Sequence, residues 1–339
     1  RLLPKFMLVC LVFLLPLALA TTLLISELGK SLAQAQDAQL GVAYVRQLQE
    51  GTRLLQQRRG LEHLRLSGKA GMDNTAINGR ITAALAALAR LPAGAGLPQA
   101  AELTKQWQAL LGRQAGIAAR DSYAAHTALL RQAGKLGQLV ADRSHLSLDP
   151  DAGANHLSAA FTTTLPDLAE SLSDIAGRGA AYIDTGLFEA NEDQLVNANA
   201  LIARHELERL PARFDEILAA KPALRASLQP ALKAVPTALA FLERTKNEVT
   251  NSYDQTSGAQ FHAAGMQAID ALHALSGASA SALDDLLAQR IARDEARRGL
   301  ILAAMLLVLL AAAYLCAGFY AAFARDVTQL RVAVGAAAA

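Results

Sequence analysis

Cysteine is almost missing from this chain of 339 residues: there are 2, Cys10 and Cys316, and both fall inside long apolar runs. No disulfide can therefore stabilise the polar region between those runs, and no thiol there can serve as a nucleophile or a soft metal ligand. Aromatic residues make up only 5% of the chain. Alternating runs of Val, Ile, Thr and aromatics are nearly absent, which removes the usual material of β-sheets. A formal net charge of +2 gives no electrostatic case for nucleic acid as a partner. The glycines are scattered, with none of the GxxxxGK[ST] spacing that cradles phosphates, and no cofactor is expected.

The two apolar runs, in turn, lack charge. Phe6 to Ile25 and Gly299 to Ala324 contain no Asp, Glu, Lys or Arg. A helix of about twenty such residues, rising about 1.5 Å per residue, matches the hydrocarbon thickness of a bilayer. The organisation that follows is an N-terminal tail and first span over 1–26, a soluble region over 27–298, a second span over 299–324, and the start of a linker over 325–339. Pro16 is no obstacle, because a helix in a bilayer tolerates Pro when neighbours satisfy the freed carbonyl. A cleaved signal peptide is the competing reading, with Ala18-Leu19-Ala20 as the processing site. The apolar run continues through Leu23, Leu24 and Ile25, which favours a retained span.

Arg1 and Lys5 before the first span, and Arg325 and Arg331 after the second, place both termini in the cytoplasm by the positive-inside rule. Arg290, Arg293, Arg297 and Arg298 crowd the opposite side and read as snorkelling toward lipid headgroups, which makes membrane lipid an expected partner. Tyr314, Phe319, Tyr320 and Phe323 form an interfacial aromatic belt at the inner end of the second span. A disulfide-free region of this size outside the cytoplasm suits a bacterial periplasm, with 27–298 facing that compartment and the chain in the inner membrane.

Ala, Leu, Gln and Arg dominate the region between the spans, at 3.5 to 3.6 residue periodicity, and the expected fold is all-α: a long antiparallel helical bundle, single or divided into two stacked bundles at Leu148 to Asp151. The first span is expected to run on to about Ser67, with Val45, Leu48, Thr52 and Leu55 on one face, before Gly68, Gly71 and Asn74 punctuate it. Further helices are expected from Asn74 to Leu91 and from Gln99 to Ser147, the latter interrupted near Gly112 to Gly116. Asp149 reads as an N-cap, with Pro150 at the first helical position and Asp151 facing the helix dipole. Pro211, Pro222, Pro230 and Pro236 are expected to break the next stretch into short helices. The last helix is expected to begin near Thr250 and continue into the second span.

Candidate chemistry is sparse. His205-Glu206-Leu207-Glu208-Arg209 carries Arg where a zinc helix needs its second His, and the Asp149 loop has Ala154 and Ala160 where a calcium loop needs Gly and Glu. His145 and His156 have no orienting partner for nucleophilic catalysis. The region is not expected to be an enzyme or to hold a metal. Leu54-Leu55-Gln56-Gln57-Arg58-Arg59-Gly60-Leu61 is different, because Arg58 and Arg59 interrupt an apolar stripe at helical spacing. At least one guanidinium must point inward and needs a partner. Two readings stand: a pocket for a small carboxylate or similar anion, or an interhelix salt bridge to Asp142, Glu170 or another carboxylate.

Leu54 to Leu61 is similar to the leucine-rich segment ending in His/Arg-Arg-Gly of extracytoplasmic helical sensor domains. Val140-Ala141-Asp142-Arg143-Ser144-His145-Leu146-Ser147-Leu148-Asp149-Pro150-Asp151, followed by Leu165-Pro166 and Arg178-Gly179, resembles a pattern of bacterial methyl-accepting chemotaxis proteins and related sensor kinases. Asn155-His156 stands where that pattern commonly has an aromatic pair. Ala324 to Ala339 resembles the opening of a HAMP linker without its usual Pro, with Val327, Leu330 and Val334 at coiled-coil spacing. The resemblance implies a homodimeric sensor that detects a small-molecule ligand, anionic by the arginine argument, or a periplasmic binding protein, and passes a helix displacement to an output domain beyond Ala339. The residues it and the arginine argument single out for ligand binding are Arg58, Arg59, Asp142 and Arg178. A histidine kinase or nucleotide cyclase with the same front end, and a membrane-anchored scaffold, are the alternatives. Arg1 in place of Met marks the chain as a fragment in this reading.

Overall fold

A computed structural model describes residues 3–68, 74–94, 96–113, 116–149, 151–188 and 191–337. The fold is all-α, and no strand occurs among the described residues. The helices are α1 (Leu3–Leu66), α2 (Thr75–Leu88), α3 (Pro98–Gly112), α4 (Ala119–Arg143), α5 (Ala152–Ala159), α6 (Leu165–Thr185), α7 (Glu192–Ala220), α8 (Arg225–Leu228), α9 (Ala234–Thr245) and α10 (Gly258–Ala337). Two compact units result: Arg1–Ala35 with Gln289–Ala339, and Gln36–Ala288. Both α1 and α10 contribute residues to each unit.

The first unit contains the two apolar runs. Its helices are long and apolar enough to cross a membrane, and almost nothing in those stretches is buried by protein. Leu15, Leu19, Leu23, Leu300, Leu307, Leu310 and Leu315 are all exposed. Thr21 and Thr22 satisfy their hydroxyls internally, donating to the carbonyls of Leu17 at 2.8 Å and Ala18 at 2.7 Å, so neither brings an unsatisfied donor into an apolar setting. Near the ends of the runs, Ser31 Oγ donates to Asp294 at 2.9 Å and accepts from Arg290 at 2.9 Å. Backbone helix continues to Ala337, while the side chains of Leu330 and Val334, expected at coiled-coil positions, lie outside the described residues.

The second unit, Gln36–Ala288, is one compact body across the Leu148 to Asp151 stretch. Its core is aliphatic with a few large rings: Trp107, Phe161, Phe214 and Phe261 are fully buried. Each such side chain contributes roughly 1.5–3 kcal/mol by leaving water. Val45, Leu48 and Leu55 of the expected α1 stripe are buried. Helices α1, α6 and α10 approach closely at glycines. A Cβ on Gly177 would lie 3.5 Å from Gly60 Cα, and one on Gly60 would lie 2.1 Å from His262 Nε2.

Several boundaries differ from the sequence expectation. Asp151, not Asp149, is the N-cap of α5: its carboxylate accepts from Ala154 N at 3.0 Å, while Asp149 accepts from Asp151 N at 2.8 Å and shapes the turn before it. Pro150 and Gly71 lie outside the described residues. Pro211 does not break α7, because Leu207, Leu210, Phe214 and Ile217 are buried on both sides of it. That burial outweighs the roughly 3 kcal/mol that an internal Pro costs. The final helix starts at Gly258 rather than near Thr250. A π-helical turn at Lys246–Thr250 closes α9, and Ser252 and Asp254 then take positive φ, reversing the chain. Glu248 holds this reversal, accepting from Thr256 N at 3.0 Å and Thr256 Oγ1 at 2.6 Å, with Arg244 also paired to it.

Candidate functional site

The helical register of α1 puts Arg58 and Arg59 on different sides of the same buried turn, and both are about 1% exposed. Arg58 faces α2. Its Nε donates to Asn78 at 2.8 Å and its Nη1 lies 3.1 Å from Glu62, one turn along α1. Glu62 also accepts from Asn74 at 2.8 Å and pairs with Arg65 at 2.7 Å. Burial works to raise the Glu62 carboxyl pKa, but Arg65, Arg58 and Asn74 together hold it below its ordinary value. His126 of α4 joins this side: its Nδ1 is 2.7 Å from the Ser122 carbonyl, and burial depresses the ring to about 4.

Arg59 faces α4 and α6. Its Nη1 donates to Glu170 at 2.6 Å and to Thr127 at 3.0 Å, and its Nη2 donates to Ser173 at 3.0 Å. Burial works against the charged guanidinium, yet Glu170, with Tyr123 and Asp174 behind it, raises its affinity for the proton above the ordinary value. Tyr123 of α4 organises this side. Arg59 and Arg178 both place their guanidinium carbons over its ring, at 4.9 and 4.5 Å from the centroid. Its hydroxyl donates to Asp174 at 2.9 Å, and burial pushes its pKa well above the ordinary value. Arg178 pairs with Asp174 at 3.0 Å and with Glu192 of α7.

Of the residues singled out from sequence, Arg59 and Arg178 thus meet on one aromatic ring, and Arg58 sits in a neighbouring network. Asp142 does not join either. It is exposed near the C-terminal end of α4, accepting from Gln138 at 3.1 Å and from Ser147 at 2.8 Å. Of the two carboxylates named as salt-bridge partners, Glu170 makes the pair and Asp142 does not. The expectation of at least one inward arginine understates the arrangement, since both are buried. Tyr123, Glu62, Asp174, Glu192 and His126 escaped the sequence reading. Two of them carry a legible signal: Glu62 lies four residues after Arg58, and Asp174 four before Arg178, the spacing of an intrahelical ion pair.

Every guanidinium in the two networks has a carboxylate partner, but the match is uneven: Arg58 and Arg65 share Glu62, while Arg59 and Arg178 meet Glu170, Asp174 and Glu192. Such pairs can hold helices in register or exchange an internal carboxylate for an external anion. Among the described residues no group of 3 or more His, Cys, Asp or Glu is placed to hold a metal.

A cleft of about 290 Å³ opens beside Glu170. Gln56, 1% exposed, forms part of its lining and connects three helices: its Nε2 donates to Glu170 of α6 at 3.1 Å, and its Oε1 is 3.4 Å from His273 Nε2 of α10. Two turns earlier on α1, Gln49 repeats the motif. Its Nε2 donates to the Phe161 carbonyl at 2.8 Å, within the π-helical turn Ala160–Thr164, and its Oε1 accepts from Ser276 of α10 at 2.8 Å.

Comparison with protein-family models, with curated proteins and with solved structures finds no match for this chain.

Proposed function

We propose that this chain is the sensory and membrane-anchoring part of a chemoreceptor-like signal transducer, held in a bacterial inner membrane as a homodimer with both termini cytoplasmic. The observation that carries this reading is the series of side-chain bonds between α1 and α10 within Gln36–Ala288. Gln56 reaches His273, Arg53 pairs with Asp270 at 3.0 Å, Gln49 bonds Ser276, Arg46 donates to Ser281 at 3.3 Å, and Gln39 donates to the Asp284 carbonyl at 3.4 Å. These are the two helices that carry the apolar runs. A ligand that prefers one packing of α1 against α10 shifts the balance between packings by its differential affinity, and packed helices respond by sliding about 1–2 Å as rigid rods.

The arginine networks supply the ligand chemistry in this reading. Arg59 is fully buried while the side chain of its partner Glu170 is 36% exposed, so Glu170 is the member able to swing out and yield its place to a small anion. Periplasmic residues between the spans bind, and the HAMP-like segment after Ala324 transmits. The test is a thermal-shift titration of the full chain in lipid nanodiscs against small carboxylates and inorganic anions. Saturable stabilisation that Arg59→Gln abolishes, with helical circular dichroism intact, supports the reading. Stable capture of a partner protein with no small-molecule response identifies a scaffold instead.

A further inference from the structure

The cleft beside Glu170 shares that one residue with the Arg59 network and otherwise has a charge arrangement of its own. One wall is α4, where Arg131 and Lys135 stand one turn apart and are exposed, flanking Gly134. A Cβ on Gly134 would meet nothing within 4 Å, so the helix surface between the two cations is open. The other wall is the start of α6, where Asp167 and Glu170 stand three residues apart. Gln49, Thr52 and Gln56 of α1 contribute polar lining, and Leu48, Leu130 and Ala133 contribute apolar lining.

Arg131, Lys135 and Asp167 share an unusual property. Each lines the cleft, and none makes a side-chain hydrogen bond or ion pair with any described residue. Opposite charges on facing walls would be expected to bridge if they could reach within about 4 Å of each other. The cleft keeps them apart. Burial, and then the neighbouring Glu170, raise the Asp167 carboxyl above its ordinary value, which is the signature of an acid without a compensating cation. Glu170 has capacity to spare on the cleft side, since its two oxygens hold Arg59 and Gln56 through single bonds.

We infer that this cleft binds a small zwitterion, its ammonium between Asp167 and Glu170 and its carboxylate between Arg131 and Lys135. A molecule carrying both charges satisfies both walls at once, whereas an amine or a carboxylate alone leaves one wall unpaired. The volume of about 290 Å³ suits a ligand of amino-acid size. Through Glu170 and Gln56 the ammonium end touches the same bonds that join α6, α1 and α10. The assignment of a signal to this event rests on the sensor reading; the binding itself does not.

The experiment is isothermal titration of the full chain in nanodiscs with glycine, β-alanine and γ-aminobutyrate, which lengthen the spacer stepwise, against ethylamine and propionate as single-charge controls. At least one zwitterion binds saturably and at least tenfold more tightly than either control, and Asp167→Asn and the double substitution Arg131→Gln/Lys135→Gln each weaken it at least tenfold. None of these side chains bonds to another described residue, so helical content is retained. Absence of binding by all three zwitterions, equal binding of the controls, or affinity unchanged in the wall variants overturns the inference. If anions bind in an Arg59-dependent way while zwitterions do not, the cleft assignment falls and the sensor reading stands; if zwitterions bind but leave α1 and α10 unmoved, the cleft stands and the sensor reading falls.

Discussion

Arg59 donates to Glu170 at 2.6 Å from a guanidinium that solvent does not reach, while more than a third of the Glu170 side chain is in contact with water. The asymmetry sets the consequence of breaking the pair. Removing the carboxylate strands a charge in the core, whereas removing the arginine leaves a carboxylate that can turn to solvent.

Glu170→Ala is therefore expected to destabilise the full chain by about 3 kcal/mol, within the range for a buried pair that loses one partner. Arg59→Met/Glu170→Ala is expected to lose less than Glu170→Ala alone. Thermal unfolding in nanodiscs followed by circular dichroism measures both. Equal losses in the single and double variants would show that the charge is not the cost.

Acid sensitivity follows from histidines buried without charge. The His126 ring and the His262 ring are both brought to about 4 by burial, from an ordinary 6.5. Because the folded value lies below the unfolded one, the unfolded chain takes up protons first as pH falls. The stabilisation is complete above pH about 6.5 and is lost between about 6.5 and 4 at roughly 1.4 kcal/mol per pH unit for each histidine. Glu62, held below its ordinary value chiefly against burial by Arg65 and Arg58, adds a further loss in the same direction only below pH about 4.5. His126→Leu is expected to reduce the slope of stability against pH between 4 and 6.5 by one proton; an unchanged slope would place that proton elsewhere.

Gly60 tests the close approach of α1 and α10. Ala for Gly in a helix interior ordinarily stabilises by about 1 kcal/mol. Here the added Cβ would fall 2.1 Å from His262 Nε2, so Gly60→Ala is expected to destabilise by about 1–3 kcal/mol. His262→Ala removes the obstacle, and the double variant is expected to recover part of the loss. Stabilisation by Gly60→Ala alone would mean that the helices are further apart.

Much of this arrangement is legible in the amino-acid order. Apolar periodicity and the absence of strand formers lead to an all-α fold, and the two uncharged runs lead to helices of membrane-spanning length. What escapes is set by contacts between segments distant in sequence. Pro211 reads as a breaker until the burial of Leu207 and Phe214 is known, and Thr250 reads as a helix start until Glu248 is seen holding the reversal that follows it. The inward arginines are visible as an interruption of a leucine stripe. Their division between two networks is not, because neighbouring residues on a helix diverge by about 100° and only the fold decides which helix each one meets. Asp142 and Glu170 look equivalent as partners in sequence, and the packing of α6 against α1 selects Glu170.

We propose that two retained spans hold Gln36–Ala288 outside the cytoplasm. Single cysteines at Asp254 and at Arg331, in a chain with Cys10 and Cys316 replaced by Ser, test it by labelling with a membrane-impermeant maleimide. In bacterial cells whose outer membrane alone is permeabilised, the Asp254 variant is expected to label and the Arg331 variant to remain unlabelled until the inner membrane is opened, with all material in the membrane fraction. Labelling of both before that step, or recovery of the chain as soluble material cleaved after Ala20, would contradict the account.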